Sequence, residues 1–448
     1  MPSVENTEIN IKTSTMTDKT ININVPVLAR VEGEGALDIR IENGSITDLK
    51  LRIFEPPRLF EKFLEGRHYT EVPDIVTRIC GICPVAYQMS AVYAFEQLFG
   101  TQITPWVNAM RRVYYCGEWI ESHALHIHLL ALPDFLGFTN APAMARQFPA
   151  EVRRGLKLQG LGNEIIKLFG ARSVNPIGVK VGGFHKAPEA DVVTALADKL
   201  RAALPDAKAL LEWLATLDFP ERSQEFVSVS LQHPSEYPIN MRQTTLVSDT
   251  GHKLEINAYE DYFKEHQVPH STALHSHLEG RPYLVGPLAR LNLNFDQLPA
   301  EVKNVLNNTN ISFPSNNPYH NIVARAAEIY FGLLEAVRLL DGYQRPTAAA
   351  VEVTPKAGTA YGCTEAPRGT LWHRYEIDDN GIITFAKLVP PTSQNQARIE
   401  EDLRLSLEAL GLDNDETTLR QHAEQVIRNY DPCISCATHF LDLTITRE

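Results

Sequence analysis

With 448 residues and 44% hydrophobic content, the chain is long enough to bury a sizeable core, and its 22% charged residues are ordinary for a globular protein. A formal net charge of −13 excludes the basic surface that nucleic acid or anionic lipid would select, and no apolar run is long enough to span a bilayer. The polar opening MPSVENTEINIKTSTMTDKT lacks the apolar stretch of a secretory signal. Residues 1–20 therefore read as a flexible tail, and the cytoplasm is the expected compartment.

From residue 21 the pattern turns strand-like. ALDIRIE, Asn43-Gly44 and SITDLKLRIF predict a β-hairpin, because Leu37, Ile39 and Ile41 alternate with polar residues and Asn-Gly suits a type I′ turn. RICGICPVAYQMS follows. Pro84 can occupy the first turn of a helix running to about Gly100, with Val85, Met89, Val92 and Phe95 on one stripe. Further helices are predicted over 105–132, over 191–217 with a break near Pro205, and over 321–341, 396–410 and 416–429. Hairpin signals recur at LVSDTGHKLEINAY and YEIDDNGIITFAKLV, turning at Gly251 and at Asn380-Gly381. No repeat or linker divides the chain. The expected fold is α+β, mainly α: a single domain over 21–439, with a large helical core and small peripheral β-sheets.

Six cysteines, at 80, 83, 116, 363, 433 and 436, are too sparse for a disulfide scaffold. Four of them form two Cys-x-x-Cys pairs, in RICGICP and DPCISCATH. Thiolates are soft ligands that select zinc, iron–sulfur, copper(I) or nickel. A zinc ribbon keeps its two pairs roughly 15–20 residues apart. Here 350 positions separate Cys83 from Cys433, so the whole fold must close the site. Structural zinc stays open as the plain alternative. A thioredoxin-like dithiol lacks its βαβ context. Cys116 and Cys363 are expected to be buried and unreactive.

RICGICP and DPCISCATH resemble the two signature segments of the nickel–iron hydrogenase large subunit. FEPPRLFEKFLEGR, ESHALHIHLLALPDF, EAPRGTLWH and LVPPTSQN fall in that family's order. LARVEGEG, EPPRLFE and RICGICPVAYQMSA are most similar to the cytoplasmic NAD(P)-linked group, which includes the sulfhydrogenases. The resemblance runs from Leu28 to His439. It implies a catalytic subunit that cleaves H2 heterolytically and reversibly. Cys80 and Cys433 would be terminal nickel ligands. Cys83 and Cys436 would bridge nickel to an iron carrying carbonyl and cyanide. Cys433 would also accept the proton, which Glu32 in RVEGEG would pass outward; without the resemblance, EGEG reads as a surface turn. Arg368 would lie over the open face of the metals, with Pro367 in the adjoining canopy. Asp431 would pair with Arg368 or cap the preceding helix. Glu61 and His439 would hold Mg²⁺ or a similar hard cation.

The resemblance also implies partners. These are a small subunit with iron–sulfur clusters, flavin- and NAD(P)-binding diaphorase subunits, and a maturation endopeptidase that removes Phe440–Glu448. The lack of a GxGxxG fingerprint agrees with a nucleotide site on another subunit. A non-catalytic relative or a zinc-stabilised scaffold is the alternative, against which the four retained cysteines argue. Two positions depart from the family's pattern. Asn175 stands in SVNPIGVKVGG where His-Pro is usual, and Tyr87 stands where His is usual. One helical turn from Cys83, Tyr87 is expected to hydrogen-bond back toward that sulfur and tune the metals. His123, His126 and His128 are expected to be structural.

Overall fold

Leu37, Ile39 and Ile41 are buried as their alternation requires, and Gly35–Glu42 is the central strand of a three-stranded antiparallel sheet. Thr20–Val25 pairs on one side and Ser45–Ile53 on the other. Asn43 and Gly44 both take positive φ, 52° and 76°, as a type I′ turn demands. The computed structural model describes residues 20–239 and 244–439. The expected tail up to residue 19 and the Phe440–Glu448 peptide lie outside them, and Thr20, counted with the tail, opens the first strand.

Five long helices build the core: Pro84–Phe99, Pro105–Leu125, Pro149–Gly170, Ala190–Leu214 and Asn321–Asp341. Two departures from expectation have identifiable causes. Ala190–Leu214 runs unbroken through Pro205. Pro205 and Arg201 both lie on the exposed face, so the carbonyl that residue 205 cannot bond is not trapped in the core, while Leu200, Ala203 and Ala207 stay buried. The helix from Pro105 ends as α at Leu125, and a π-helical turn, His126–Ala131, follows it. Such turns concentrate at functional sites. A further helix begins at Pro391, five residues before the predicted start, with Pro at its favoured first position. Glu416–Tyr430 completes the set.

Gly358–Ala366, Gly369–Ile377 and Ile383–Val389 form an antiparallel meander. Its first turn is tight: Ala366 pairs with Gly369, which leaves only Pro367 and Arg368 to reverse the chain. The other sheets are small, one of four strands and two of two. The main cluster of buried apolar side chains includes Cys80, Cys83, Cys433 and Cys436. This is the α+β architecture expected, with the helices at the centre and the sheets around them.

Candidate metal centre and active site

Each cysteine pair sits where a helix begins. Cys83 caps Pro84–Phe99 and Cys433 caps the short helix Ile434–Ala437. Backbone N–H groups cluster there. The amides of Ile82 and Cys83 both donate to Cys80 Sγ at 3.3 Å. The two ends of the chain meet sulfur to sulfur: Cys80 to Cys433 at 3.3 Å, Cys83 to Cys436 at 3.6 Å, Cys433 to Cys436 at 3.0 Å. Burial raises the Cys80 pKa, yet hydrogen bonds from Cys433, Cys436 and Cys83 and the Arg368 charge bring it well below its usual value. Cys433 is pushed up, first by its bond to Cys436 and then by Cys80. Four thiolates cannot share this dry volume without a cation. A tetrahedral metal with bonds of about 2.3 Å would need sulfurs about 3.8 Å apart, so the cluster has only to open by fractions of an ångström. The donor set fits a soft metal ion.

Glu32 lies in that shell. Its backbone bridges Cys433, with Ile434 N donating to Glu32 O at 2.9 Å. Its Oε2 accepts from Cys433 Sγ at 3.2 Å and from Ser435 N at 3.0 Å. Burial, then the Cys80 charge, raises its pKa against the hydrogen bonds from Ser435 and Cys433. EGEG is therefore no surface turn at Glu32, although Glu34 is exposed. The intervening Gly33 has φ +88°, and a Cβ there would lie 2.7 Å from Ile434 Cβ and 2.9 Å from Ser435 N. Gly33→Ala should cost about 1–3 kcal/mol of stability and part Glu32 from Cys433. Thermal unfolding together with activity measures both, and an active, equally stable variant would show that this close approach is dispensable.

Arg368, from the two-residue turn, donates through Nε to Asp431 O at 2.7 Å and through a terminal nitrogen to Asp431 Oδ1 at 2.9 Å. Asp431 adopts φ 56° and also accepts from Arg325 on Oδ2 at 3.0 Å. Both expected roles of Asp431 are thus filled by one residue, since it also ends helix Glu416–Tyr430. Its pKa is lowered despite burial, by Arg368, His126 and Arg325. Pro367 is buried beside Arg368, and its carbonyl accepts from Arg290 at 3.2 Å.

A buried chain continues from Asp431. Arg325 donates to His123 Nδ1 at 3.2 Å, and His123 Nε2 lies 2.8 Å from Glu328, which Arg290 grips with two bonds. Because Nδ1 accepts from a guanidinium, Nε2 carries the hydrogen and the ring is neutral. Burial accordingly holds His123 down at about 4, as it does His128, and His126 at about 3. His126 bonds the Arg428 carbonyl and His128 the Ala124 carbonyl, so none of the three reaches the sulfurs.

The hydrogen bond expected from Tyr87 to Cys83 is not formed. The Tyr87 hydroxyl is buried with no partner among the described residues, and its ring tilts against His373, with centroids 5.6 Å apart. Burial, then the charges of all four cysteines, pushes its pKa well up. It is an unsatisfied donor near the sulfurs, as a site shaped for a further polar group would leave. Asn175 is placed by its backbone: φ is 46°, which Asn tolerates, and its carbonyl accepts from Arg172. Cys116 and Cys363 are buried, and burial raises both thiols.

Glu61 and His439 meet at a second point. His439 Nε2 lies 3.4 Å from Glu61 Oε1 and 2.7 Å from the Leu388 carbonyl, and Nδ1 bonds the Cys436 carbonyl. Both ring nitrogens face oxygens, which suits an imidazolium or a cation held among Nε2, Glu61 and Leu388 O.

Sequence reasoning missed three supports. Glu118 accepts from Val85 N at 2.5 Å and Ala86 N at 3.1 Å, holding the helix that starts behind Cys83. Thr392 Oγ1 accepts from Cys433 N at 2.9 Å. Arg325 shares Asp431. A charge inside the apolar helices YYCGEWI and NIVARAAEIYF was the available signal for two of them.

A helical frame closing a deep tetrathiolate between its first and last segments, with a carboxyl on one sulfur and a guanidinium beside them, defines a class of buried metal-redox centre. The family model described as nickel-dependent hydrogenase matches residues 58–156 and 257–439. The chain belongs to that family, and it corresponds to the large subunit, an oxidoreductase acting on H2. It is 34% identical to sulfhydrogenase 1 subunit alpha of Pyrococcus furiosus, over 94% of this chain and 98% of that one. It is 29% identical to the NAD-reducing hydrogenase HoxS subunit beta of Cupriavidus necator, over 92% and 94%. Among solved structures it is similar to an NAD+-reducing [NiFe]-hydrogenase in the H2-reduced state, with TM-score 0.86 and 28% identity, covering 94% of this chain and all of that one.

Proposed function

We propose that this subunit cleaves H2 at a nickel–iron centre held by Cys80, Cys83, Cys433 and Cys436, and that its electrons leave through an iron–sulfur small subunit to flavin- and NAD(P)-binding partners. The observation that carries the reading is the contact from Cys433 Sγ to Glu32 Oε2. When bound, nickel with an iron bearing carbonyl and cyanide supplies the electron-rich, open position at which H2 divides into protons and electrons. Cys80, Cys83, Cys433 and Cys436 would hold the two metals, with Cys80 and Cys433 on nickel and Cys83 and Cys436 shared with iron. The chain's residues then manage charge and protons. Cys433 Sγ receives the proton and Glu32 relays it, because Cys433 is sealed at 1% exposure whereas Glu32 is only partly buried. Arg368 keeps a fixed positive charge beside the sulfurs, anchored on both the carbonyl and the carboxylate of Asp431. Pro367 stiffens the turn that presents it. Glu61, His439 and the Leu388 carbonyl would hold Mg²⁺ or a similar cation beside the Cys436 backbone.

Acceptor and partners follow from likeness to the NAD-reducing and sulfhydrogenase relatives. The compartment is the cytoplasm, where NAD(P) is at hand; no helix among the described residues is long and apolar enough to cross a membrane. The test is metal content and infrared spectroscopy of the purified complex, with H2-dependent reduction of NAD+ and NADP+. One nickel per large subunit, with carbonyl and cyanide bands and iron in excess from the iron–sulfur partner, is the expected result. Zinc in place of nickel, without such bands, would end the reading. Tyr87→Phe should shift the carbonyl stretch at unchanged metal content, through loss of the unpartnered hydroxyl; an identical spectrum leaves Tyr87 as a packing residue.

A further inference from the structure

A further group of metal-ligating side chains lies outside both the thiolate centre and the Glu61–His439 pair. Strands Phe263–His266 and His275–Leu278 pair antiparallel, with His275 opposite His266. The loop between them carries His270 and is pinned on both sides. Ser271 Oγ donates to Ala273 O at 3.0 Å and accepts from Ala273 N at 3.1 Å. Thr272 N donates to Ile53 O, and its hydroxyl to Glu55 O, each at 2.8 Å. Helix Pro391–Leu410 packs against the second strand and brings Glu400 to the pair. Glu400 Oε1 accepts from Leu51 N at 2.9 Å and lies 2.8 Å from His270 Nε2; its Oε2 is 3.9 Å from His275 Nδ1. One nitrogen from each imidazole and one carboxylate oxygen all lie within 4.8 Å of one another. Two more imidazoles adjoin: the His266 ring is 5.9 Å from that of His275 and stacks on His277 at 4.6 Å.

The independent observation is His275. It is 3% exposed, and its Nε2 has no hydrogen-bond partner among the described residues. Glu400 does not satisfy the ring either, since its Oε2 is 3.9 Å from Nδ1, beyond hydrogen-bond distance. A buried imidazole with an unpartnered nitrogen, beside a second imidazole and a carboxylate, is a ligand set without its ion.

We propose that His270, His275 and Glu400 bind a divalent transition metal of the zinc type, as a structural clamp separate from the thiolate centre and from the function proposed for it. Two imidazoles and one carboxylate are borderline donors, suited to zinc or cobalt. They are too nitrogen-rich for magnesium or calcium and lack the sulfur that copper(I) prefers. Ligand atoms around a tetrahedral zinc stand about 3.3 Å apart, so small rotations of the three side chains complete the set, with water or His266 in the fourth position. The ion takes the place of the His270–Glu400 hydrogen bond. It ties the loop and the end of strand Ser45–Ile53 to the helix whose Thr392 holds the Cys433 backbone.

The test uses the nickel- and iron-loaded complex, treated with a mild chelator and titrated with Zn²⁺. Wild type should take up one equivalent more than the His270→Ala/His275→Ala double variant, at equal nickel and iron, and zinc should raise its unfolding temperature. X-ray absorption of that zinc should show nitrogen and oxygen neighbours and no sulfur. Should the double variant fail to fold, Glu400→Gln preserves shape and should weaken zinc binding at least about tenfold, the size of effect known for losing a metal site's supporting partners. Equal uptake by wild type and variant, no uptake by wild type, or a sulfur-containing shell overturns the proposal.

Discussion

Glu32→Gln should lower H2 oxidation by about 10²–10⁴-fold, the usual contribution of a positioned proton-transfer group, while leaving nickel and iron content unchanged. The amide keeps an oxygen that can accept from Ser435 N, so the geometry around Cys433 is preserved. What it loses is the capacity to take a proton from a sulfur 3.2 Å away. Electron delivery to the partner subunits is untouched, so the deficit should appear equally as slowed exchange of D2 with solvent protons. Glu34→Gln is the matched control: two residues along and exposed, it should behave as wild type. If Glu32→Gln retains activity within tenfold, the proton leaves by another route and the relay assigned to Glu32 is wrong.

Asp431→Asn should destabilise the protein by about 3–5 kcal/mol, the range for removing one partner of a buried ion pair. Asp431 is the shared counter-charge of Arg368 and Arg325, all three nearly sealed from solvent. Asn fits the same volume and accepts the left-handed φ of 56°, so backbone strain is not introduced. The effect is therefore electrostatic: two guanidiniums remain without a carboxylate in a low dielectric. Adding Arg325→Met should restore part of the loss, because one unpaired charge is then removed. Denaturant unfolding of the single and double variants measures the coupling; strictly additive losses would show that Asp431 and Arg325 do not share energy. The pH sign follows from the depressed pKa of Asp431. Its contribution is complete above the ordinary carboxylate range, about 4, and is lost as pH falls through the lower folded-state value.

Much of this architecture was readable before any coordinates. Asn321–Asp341 stands over its predicted span because its apolar positions recur at helical spacing over twenty residues. The Asn43-Gly44 hairpin stands because both residues accept positive φ. Pro205 misled because propensity is local, whereas the helix through it is held by buried leucines and alanines on its opposite face. The π-helical turn at His126–Ala131 carried no period of its own and read as ordinary helix. At the site, the cysteine pairs were visible because soft ligands come as a spaced motif, but Glu32, Arg368, Glu61 and His439 were placed by family resemblance alone. HQVPHSTALHSH holds four histidines within twelve residues and went unremarked; its carboxylate partner Glu400 is 125 positions from His275.

Residue chemistry and local spacing were enough to indicate a mainly helical protein with a thiolate metal site, because ligand type, helix period and turn preference are written within a few neighbouring positions; the hydrogenase kind came from the resemblance of RICGICP and DPCISCATH to that family's signature segments. The partners of those residues were not. That Cys433 meets Glu32, that Asp431 is divided between two arginines, that Glu118 caps the helix behind Cys83, and that Tyr87 is left without an acceptor all depend on which distant helices and turns pack together. Burial makes those pairings consequential: inside a dry core each charge or donor must find its partner across hundreds of residues, and only the folded chain specifies which one it finds.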